Sequence, residues 1–162
     1  MTEDVKDLDG NELYFAWGET TGYSSSQVGT ERVFNQSSYT YTDNPITLPA
    51  TNDIVTILYG SGYKMPSVDD WRELLESCSK SEQEDGVMLT SFRNGNKIFF
   101  PYSGHCGVNG LVNFGKMSYY WSSSINEGNT TQAWYVRFNA SQTFRPSDAR
   151  FIGNCIRGIK IR

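Results

Sequence analysis

The chain has 162 residues, a length that suits one domain with one core, and nine Phe, ten Tyr and four Trp raise the burial capacity of a modest 38% apolar fraction. A formal charge of -4, a pI near 5.0 and the lack of any Lys/Arg cluster disfavour a phosphate backbone as partner, which excludes nucleic-acid binding from the expected functions. No apolar run reaches the roughly 18 residues of a membrane span, so direct membrane insertion is not expected either.

Fifteen Gly and many Ser, Thr and Asn between short apolar runs predict frequent turns and few long helices. Met1–Gly10 is acidic and polar, unlike a signal peptide, and residues 1–12 read as a disordered or shortened N-terminal segment. Leu13-Tyr-Phe-Ala-Trp-Gly18 reads as a short aromatic strand, followed by a long polar loop, Glu19 to Asn44, expected to wrap on the body. In Asp53–Tyr59, Ile54, Ile57 and Leu58 recur at helical spacing, which predicts a short amphipathic helix with those three on its buried side.

A second helix begins at Ser67. Asp70, three residues on, completes a capping box, and Trp71, Leu74, Leu75 and Cys78 form one buried stripe. The charged run Lys80–Asp85 reads as a solvated connection. Val87–Ser91 and Lys97–Pro101 flank Arg93-Asn-Gly-Asn96, the pattern of a β-hairpin, and Ser103–Gly115 reads as a glycine-spaced loop. Four further strands, Ser118–Ser124, Ala133–Phe138, Gln142–Arg145 and Cys155–Ile161, are expected to pair as one antiparallel sheet. In Ala133–Asn139 the alternation points Trp134, Val136 and Phe138 to the core and Tyr135, Arg137 and Asn139 to solvent.

Several segments in order, Tyr14-Phe-Ala-Trp-Gly-Glu19, Tyr63-Lys-Met-Pro-Ser67 leading into Trp71-Arg-Glu-Leu-Leu75, Ile98-Phe-Phe-Pro101, Tyr120-Trp-Ser-Ser-Ser124 and Arg150-Phe-Ile-Gly153 before Ile156-Arg157, together resemble the Fibrobacter-type major paralogous domain. The resemblance covers nearly the whole chain from Leu13. It implies an α+β, C-type-lectin-like fold in a single domain, two short helices packed on a small twisted antiparallel sheet with long loops. Many members with this C-terminal pattern resemble the variable proteins of diversity-generating retroelements, in which adenine-directed mutagenesis rewrites codons near the C-terminus on a fixed frame. The matching frame here is Trp121, Ser122, Ser123, Ser124, Ala133, Trp134, Val136, Phe138, Arg150, Gly153, Ile156 and Arg157, and the candidate variable region is 119–162.

The candidate ligand-binding residues are Tyr135, Arg137, Asn139, Phe144, Arg145, Ser147, Asp148, Phe151 and Asn154, a mixture of stacking area, forked cations and adaptable polar groups of the kind found in paratopes. What the resemblance implies is a receptor-binding protein of a phage or a bacterial surface, taking an unknown protein or glycan on a cell surface. The alternative is an undiversified structural or adhesive domain of a Bacteroidetes surface protein.

Enzymatic readings carry less. His105 is the one histidine and its neighbour Cys106 is poorly placed to pair with it along an extended backbone, so no catalytic residue is expected. The distant formylglycine-generating relatives use two C-terminal cysteines, and this chain has only Cys155 there. The three cysteines, Cys78, Cys106 and Cys155, read as buried thiols. Neither triplet of the calcium-dependent lectins is present, the acidic stretch Asp4–Asn11 lacks EF-hand spacing, and no metal or cofactor is expected. The serines after Trp121 are expected to make structural hydrogen bonds.

Overall fold

The computed structural model describes Met1–Arg162. Up to Asp53 the backbone is held by isolated bridges and two single-turn 3-10 segments, Gln36–Ser38 and Ala50–Asn52. The expected aromatic strand takes this form: Tyr14 bridges Tyr23 and Phe15 bridges Asn154. Its side chains alternate, Phe15 and Trp17 entering one apolar cluster and Tyr14 and Ala16 a second. The loop after it does fold back. The buried Glu19 carboxylate accepts from the Thr40 N–H at 2.9 Å and pairs with Arg32 at 2.8 Å, while Phe34 is fully buried.

Helix α1 (Ile54–Tyr59) starts at Asp53, whose carboxylate accepts the N–H groups of Val55 and Thr56 and, with its other oxygen, that of Met65 at 2.8 Å, just past β1 (Tyr63–Lys64). This anchors the first turn, so Ile54 and Val55 are buried; Ile57 and Leu58, expected inside, are exposed. Helix α2 (Val68–Glu76) has the expected box, the Ser67 hydroxyl accepting from Asp70 N–H at 3.1 Å and the Asp70 carboxylate from Ser67 N–H at 2.9 Å. Trp71 and Leu75 are buried.

The charged run is no loose connection. Cys78–Glu82 is an edge strand, β2, paired with β3 (Gly86–Ser91), which pairs with β4 (Lys97–Pro101) as the expected hairpin. Charges suit an edge whose open side faces water. Within the expected loop, β5 (His105–Gly107) and β6 (Gly110–Val112) form a small hairpin.

Strands β7 (Ser118–Ile125) and β8 (Gln132–Phe138) form the centre, flanked by β9 (Thr143–Phe144) and β10 (Ser147–Ala149), both antiparallel to β8. The fourth expected strand, Cys155–Ile161, is instead a run of bridges ending in β11 (Ile159–Lys160), which pairs with β1. Apolar side chains cover both faces of β7 and β8. Tyr119, Trp121, Ile125, Ala133 and Tyr135 belong to one cluster with Phe15, Trp17, Ile54, Val55 and Ile156; Tyr120, Val136 and Phe138 belong to another with Trp71, Leu75, Leu89 and Phe100. One core was expected; two share this pair of strands. Burial on both faces explains the nearly continuous aromatic run in β7.

The indole N–H groups tie these layers together: Trp17 donates to Ser122 O at 2.9 Å, Trp121 to Phe15 O at 2.7 Å and Trp71 to Trp121 O at 3.3 Å. Of the three serines after Trp121, Ser122 and Ser124 make the expected structural bonds with their hydroxyls, and Ser118 adds another. Ser118 Oγ donates to Pro101 O, Ser122 Oγ donates to Trp134 O, and Ser124 Oγ accepts the Val68 N–H at the start of α2.

The N-terminal twelve residues, expected to be disordered, pack on the body. Val5 is buried, and Asp4, also buried, pairs with Arg157. The Asp4 carboxylate accepts from Arg157 Nε at 2.6 Å and from the Tyr120 hydroxyl at 2.8 Å. Glu12 and Cys155 lie alongside, with ligand-type atoms of the three residues within 4.8 Å of one another. The oxygens of Asp4 are already committed to Arg157 and Tyr120, so the arrangement is an ion-pair network. Burial, then the neighbouring Asp4 charge, push the Glu12 carboxyl up to about 8. The folded chain therefore holds a proton there that the unfolded chain releases near 4.5, so this contribution to stability is complete below about 4.5 and is lost as pH rises through about 8. Glu12→Gln is expected to flatten the fall in stability over that window, measured by urea denaturation across pH; an unchanged slope contradicts the assignment.

Candidate functional site

On β8 the odd positions share one face and the even positions the other, as the alternation requires, but exposure does not follow face. Ala133 is fully buried, Tyr135 is 6% exposed, and only toward the strand's end does this face emerge, with Arg137 and Asn139 half-buried. The expectation that Tyr135 is solvent-facing is thus corrected: Trp121 meets its ring edge-on and Tyr119 lies parallel to it, both within the first cluster. Its hydroxyl makes no bond within the chain and is not among the enclosed unpaired atoms, so only the polar tip reaches out. Trp134, expected in the core, is half-buried and outside both clusters.

Register puts one row of side chains across the sheet. Arg137 stands opposite Tyr119 on β7 and opposite Phe144 on β9. Its guanidinium carbon lies 4.6 Å from the Phe144 ring centroid, a cation–π contact, and Phe144 is 40% exposed. The His105 ring stacks flat on Tyr119 with centroids 4.1 Å apart, extending the row to four residues from four strands. Asp148 stands opposite Ala133, and its charge acts on both Tyr135 and His105. Burial holds His105 below its ordinary value, with Asp148 opposing and Arg137 assisting, so the imidazole is neutral at physiological pH. Burial pushes the Tyr135 phenol up to about 12.

The guanidinium of Arg137 has no carboxylate partner in the chain. Its Nε is enclosed and unpaired, as is Nδ1 of His105, while its terminal nitrogens are not enclosed and donate to nothing. A planar fork set over an aromatic ring, with its terminal nitrogens free, is prepared for a bidentate acceptor.

The other expected residues separate from this row. Asn139 spends its side-chain oxygen on the N–H groups of Ser141 and Gln142, at 3.0 and 2.9 Å, and so builds the turn into β9. Arg145 is exposed beside Glu76, 3.7 Å away. Ser147, opposite Trp134 on the other face, donates to Gln132 Oε1 at 2.6 Å. Phe151 is half-buried against the first cluster. Asn154, expected on the surface, is completely buried, its backbone paired with Phe15 and both side-chain amide atoms unpartnered. Tyr119 and His105 were missed as site residues because the first reads as core and the second as loop; no local pattern in the sequence places them in register with Arg137.

At the other end of β8 several frame positions are tightly bound. Arg150, 5% exposed, uses all five of its N–H donors: Nε on the Tyr39 hydroxyl at 3.0 Å, Nη1 on Asn44 Oδ1 at 2.7 Å and Thr130 O at 3.0 Å, and Nη2 on Tyr41 O at 3.1 Å and Asp43 O at 2.7 Å. Its guanidinium lies 4.8 Å from the Trp17 ring centroid. Gly153 sits where an added Cβ would meet the Phe34 ring at 2.8 Å. Cys106 and Cys155 are buried and Cys78 half-buried; burial pushes the Cys106 thiol up to about 12, far from a reactive thiolate. No helix is long and apolar enough to cross a membrane. No protein-family model, no curated protein and no solved structure matches the chain.

Proposed function

We propose that the chain is a ligand-recognition module on a C-type-lectin-like scaffold, of the kind diversified by retroelements, displayed on a virion or cell surface, with its C-terminal surface as the binding face. The supporting observation is a division of labour within residues 121–157. Of the twelve positions that match the resemblance's frame, all but Ser124 and Trp134 are buried. Arg137, Phe144, Arg145 and Asp148 retain exposure and belong to neither core cluster, so their identities can change at little cost to folding, while Phe151 keeps part of its surface open and packs the rest on the first cluster. Two short helices with several small antiparallel sheets accord with the scaffold.

Sequencing the coding locus from many natural isolates tests the reading. Substitutions at adenines are expected to concentrate at the codons of Arg137, Phe144, Arg145, Asp148 and Phe151, with a near-repeat of the segment beside a reverse transcriptase gene. A locus with neither repeat nor concentrated variation removes the diversified reading and leaves the undiversified adhesive domain.

A further inference from the structure

We infer that the partner of this surface is a protein that offers a carboxylate set among apolar side chains, with Arg137 as its receiving cation and the β5–β6 hairpin as an apolar rim. This rests on the recognition reading above and deepens it. Three observations carry it. The first is the free guanidinium edge of Arg137, fixed on Phe144 and unpaired in a chain of net charge -4. Chelation of a planar carboxylate is the contact such a fork makes best.

The second is the hairpin. Val112 stands opposite His105, so the two share a face, and His105 stacks on Tyr119, the cross-strand neighbour of Arg137. The next residue, Asn113, donates from Nδ2 to the Tyr119 hydroxyl at 2.7 Å and adopts a left-handed φ of 58°. This pins the end of the hairpin to the binding row. Val112 and Phe114, the residues on either side of Asn113 in the chain, are 41% and 66% exposed, and Val108 at the turn of the hairpin is 53% exposed.

The third is the chemistry of that rim. Branched aliphatic side chains offer neither donors nor acceptors to sugar hydroxyls, whereas covering them with an apolar protein surface gains about 25 cal/mol per Å². Exposed phenylalanines, Phe144 and Phe114, together with an unpaired arginine have the composition of a protein-binding surface, in which an apolar surround excludes water from one charged contact. Backbone bonds on either side hold the hairpin in place, Gly104 N–H to Met117 O at 3.0 Å and Gly115 N–H to Tyr102 O at 2.7 Å, and Gly104 is seated so closely that an added Cβ would lie 2.3 Å from Val112 O.

The experiment pans the immobilised full chain against a displayed library of short random peptides, in parallel with an array of neutral and sialylated glycans. Enriched peptides are expected to share Asp or Glu flanked by apolar residues. Affinity for the best of them is expected to fall about thirtyfold or more in Arg137→Gln and on the order of tenfold in Phe114→Ser or Val112→Ser, with each variant's melting curve confirming that it is folded. Absence of enrichment, enrichment without acidic residues, binding to glycans alone, or indifference to Phe114→Ser and Val112→Ser overturns the inference while a loss in Arg137→Gln and Phe144→Ala still supports the C-terminal face. Binding that survives changes at Arg137, Phe144, Arg145 and Asp148 alike overturns both.

Discussion

Replacing Arg150 with Ala is expected to destabilise the chain by about 3–5 kcal/mol, measured as a drop in urea midpoint at unchanged slope. The guanidinium has no carboxylate partner; carbonyl oxygens of Thr130, Tyr41 and Asp43 and the faces of Trp17, Tyr39 and Tyr41 satisfy it instead. Removing it strands three carbonyls and opens a void against Trp17, and each unpaired buried acceptor costs about 1–3 kcal/mol less whatever water recovers. Arg150→Lys is expected to recover little, because an ammonium cannot reproduce five divergent donors or lie flat on an indole. A loss below about 1 kcal/mol in Arg150→Ala would show that the Tyr39–Asn44 segment holds itself and that Arg150 is not a frame residue.

Asp4→Ala is expected to cost a comparable amount, about 3–5 kcal/mol, for a different reason. The change leaves the Arg157 guanidinium buried without its counter-charge and the Tyr120 hydroxyl without its acceptor. Arg157 keeps its bond from Nη1 to Phe99 O and its contacts with two aromatic rings, 4.2 Å from the Phe100 centroid and 5.6 Å from that of Tyr120, none of which carries a full negative charge. Most of the cost belongs to the orphaned cation, so the double variant Asp4→Ala/Arg157→Met is expected to be more stable than Asp4→Ala alone. Amide exchange at Val5 and Thr2, which bond to Ile156 O and Gly158 O, is expected to accelerate in Asp4→Ala. A double variant less stable than the single one contradicts this reading of the pair.

Local chemistry was legible wherever a few neighbouring residues decide the outcome. The Ser67–Asp70 box, the Val87–Pro101 hairpin and the β8 strand are all found where their patterns lie. What alternation cannot report is what covers each face. It groups Tyr135 with Arg137 correctly, yet the first cluster, assembled from residues as remote in sequence as Phe15, Trp17 and Trp121, takes in Tyr135 and leaves Arg137 half open. The same holds in α1, where spacing favours Ile57 and Leu58 as buried, but the Asp53 bonds reaching to Met65 seat Ile54 and Val55 instead. Asp4 gave no local sign of its role, because its partner lies 153 positions away. Likewise the hairpin at His105 reads as loop, since its short strands owe their place to the Cys106–Gly153 bridge and the stacking on Tyr119.

On the reading proposed above, residues 121–157 divide into a frame that carries the fold and a surface free to vary. Thermal denaturation of the triple variant Arg137→Ala/Phe144→Ala/Arg145→Ala tests it most directly. Each of these side chains is open to solvent in part, and together they contribute one cation–π contact and one long, exposed ion pair. The melting transition is expected to stay cooperative and within about 1–2 kcal/mol of the parent chain. Loss of the cooperative transition, or a cost approaching that of Arg150→Ala, would place those residues in the frame and contradict the division.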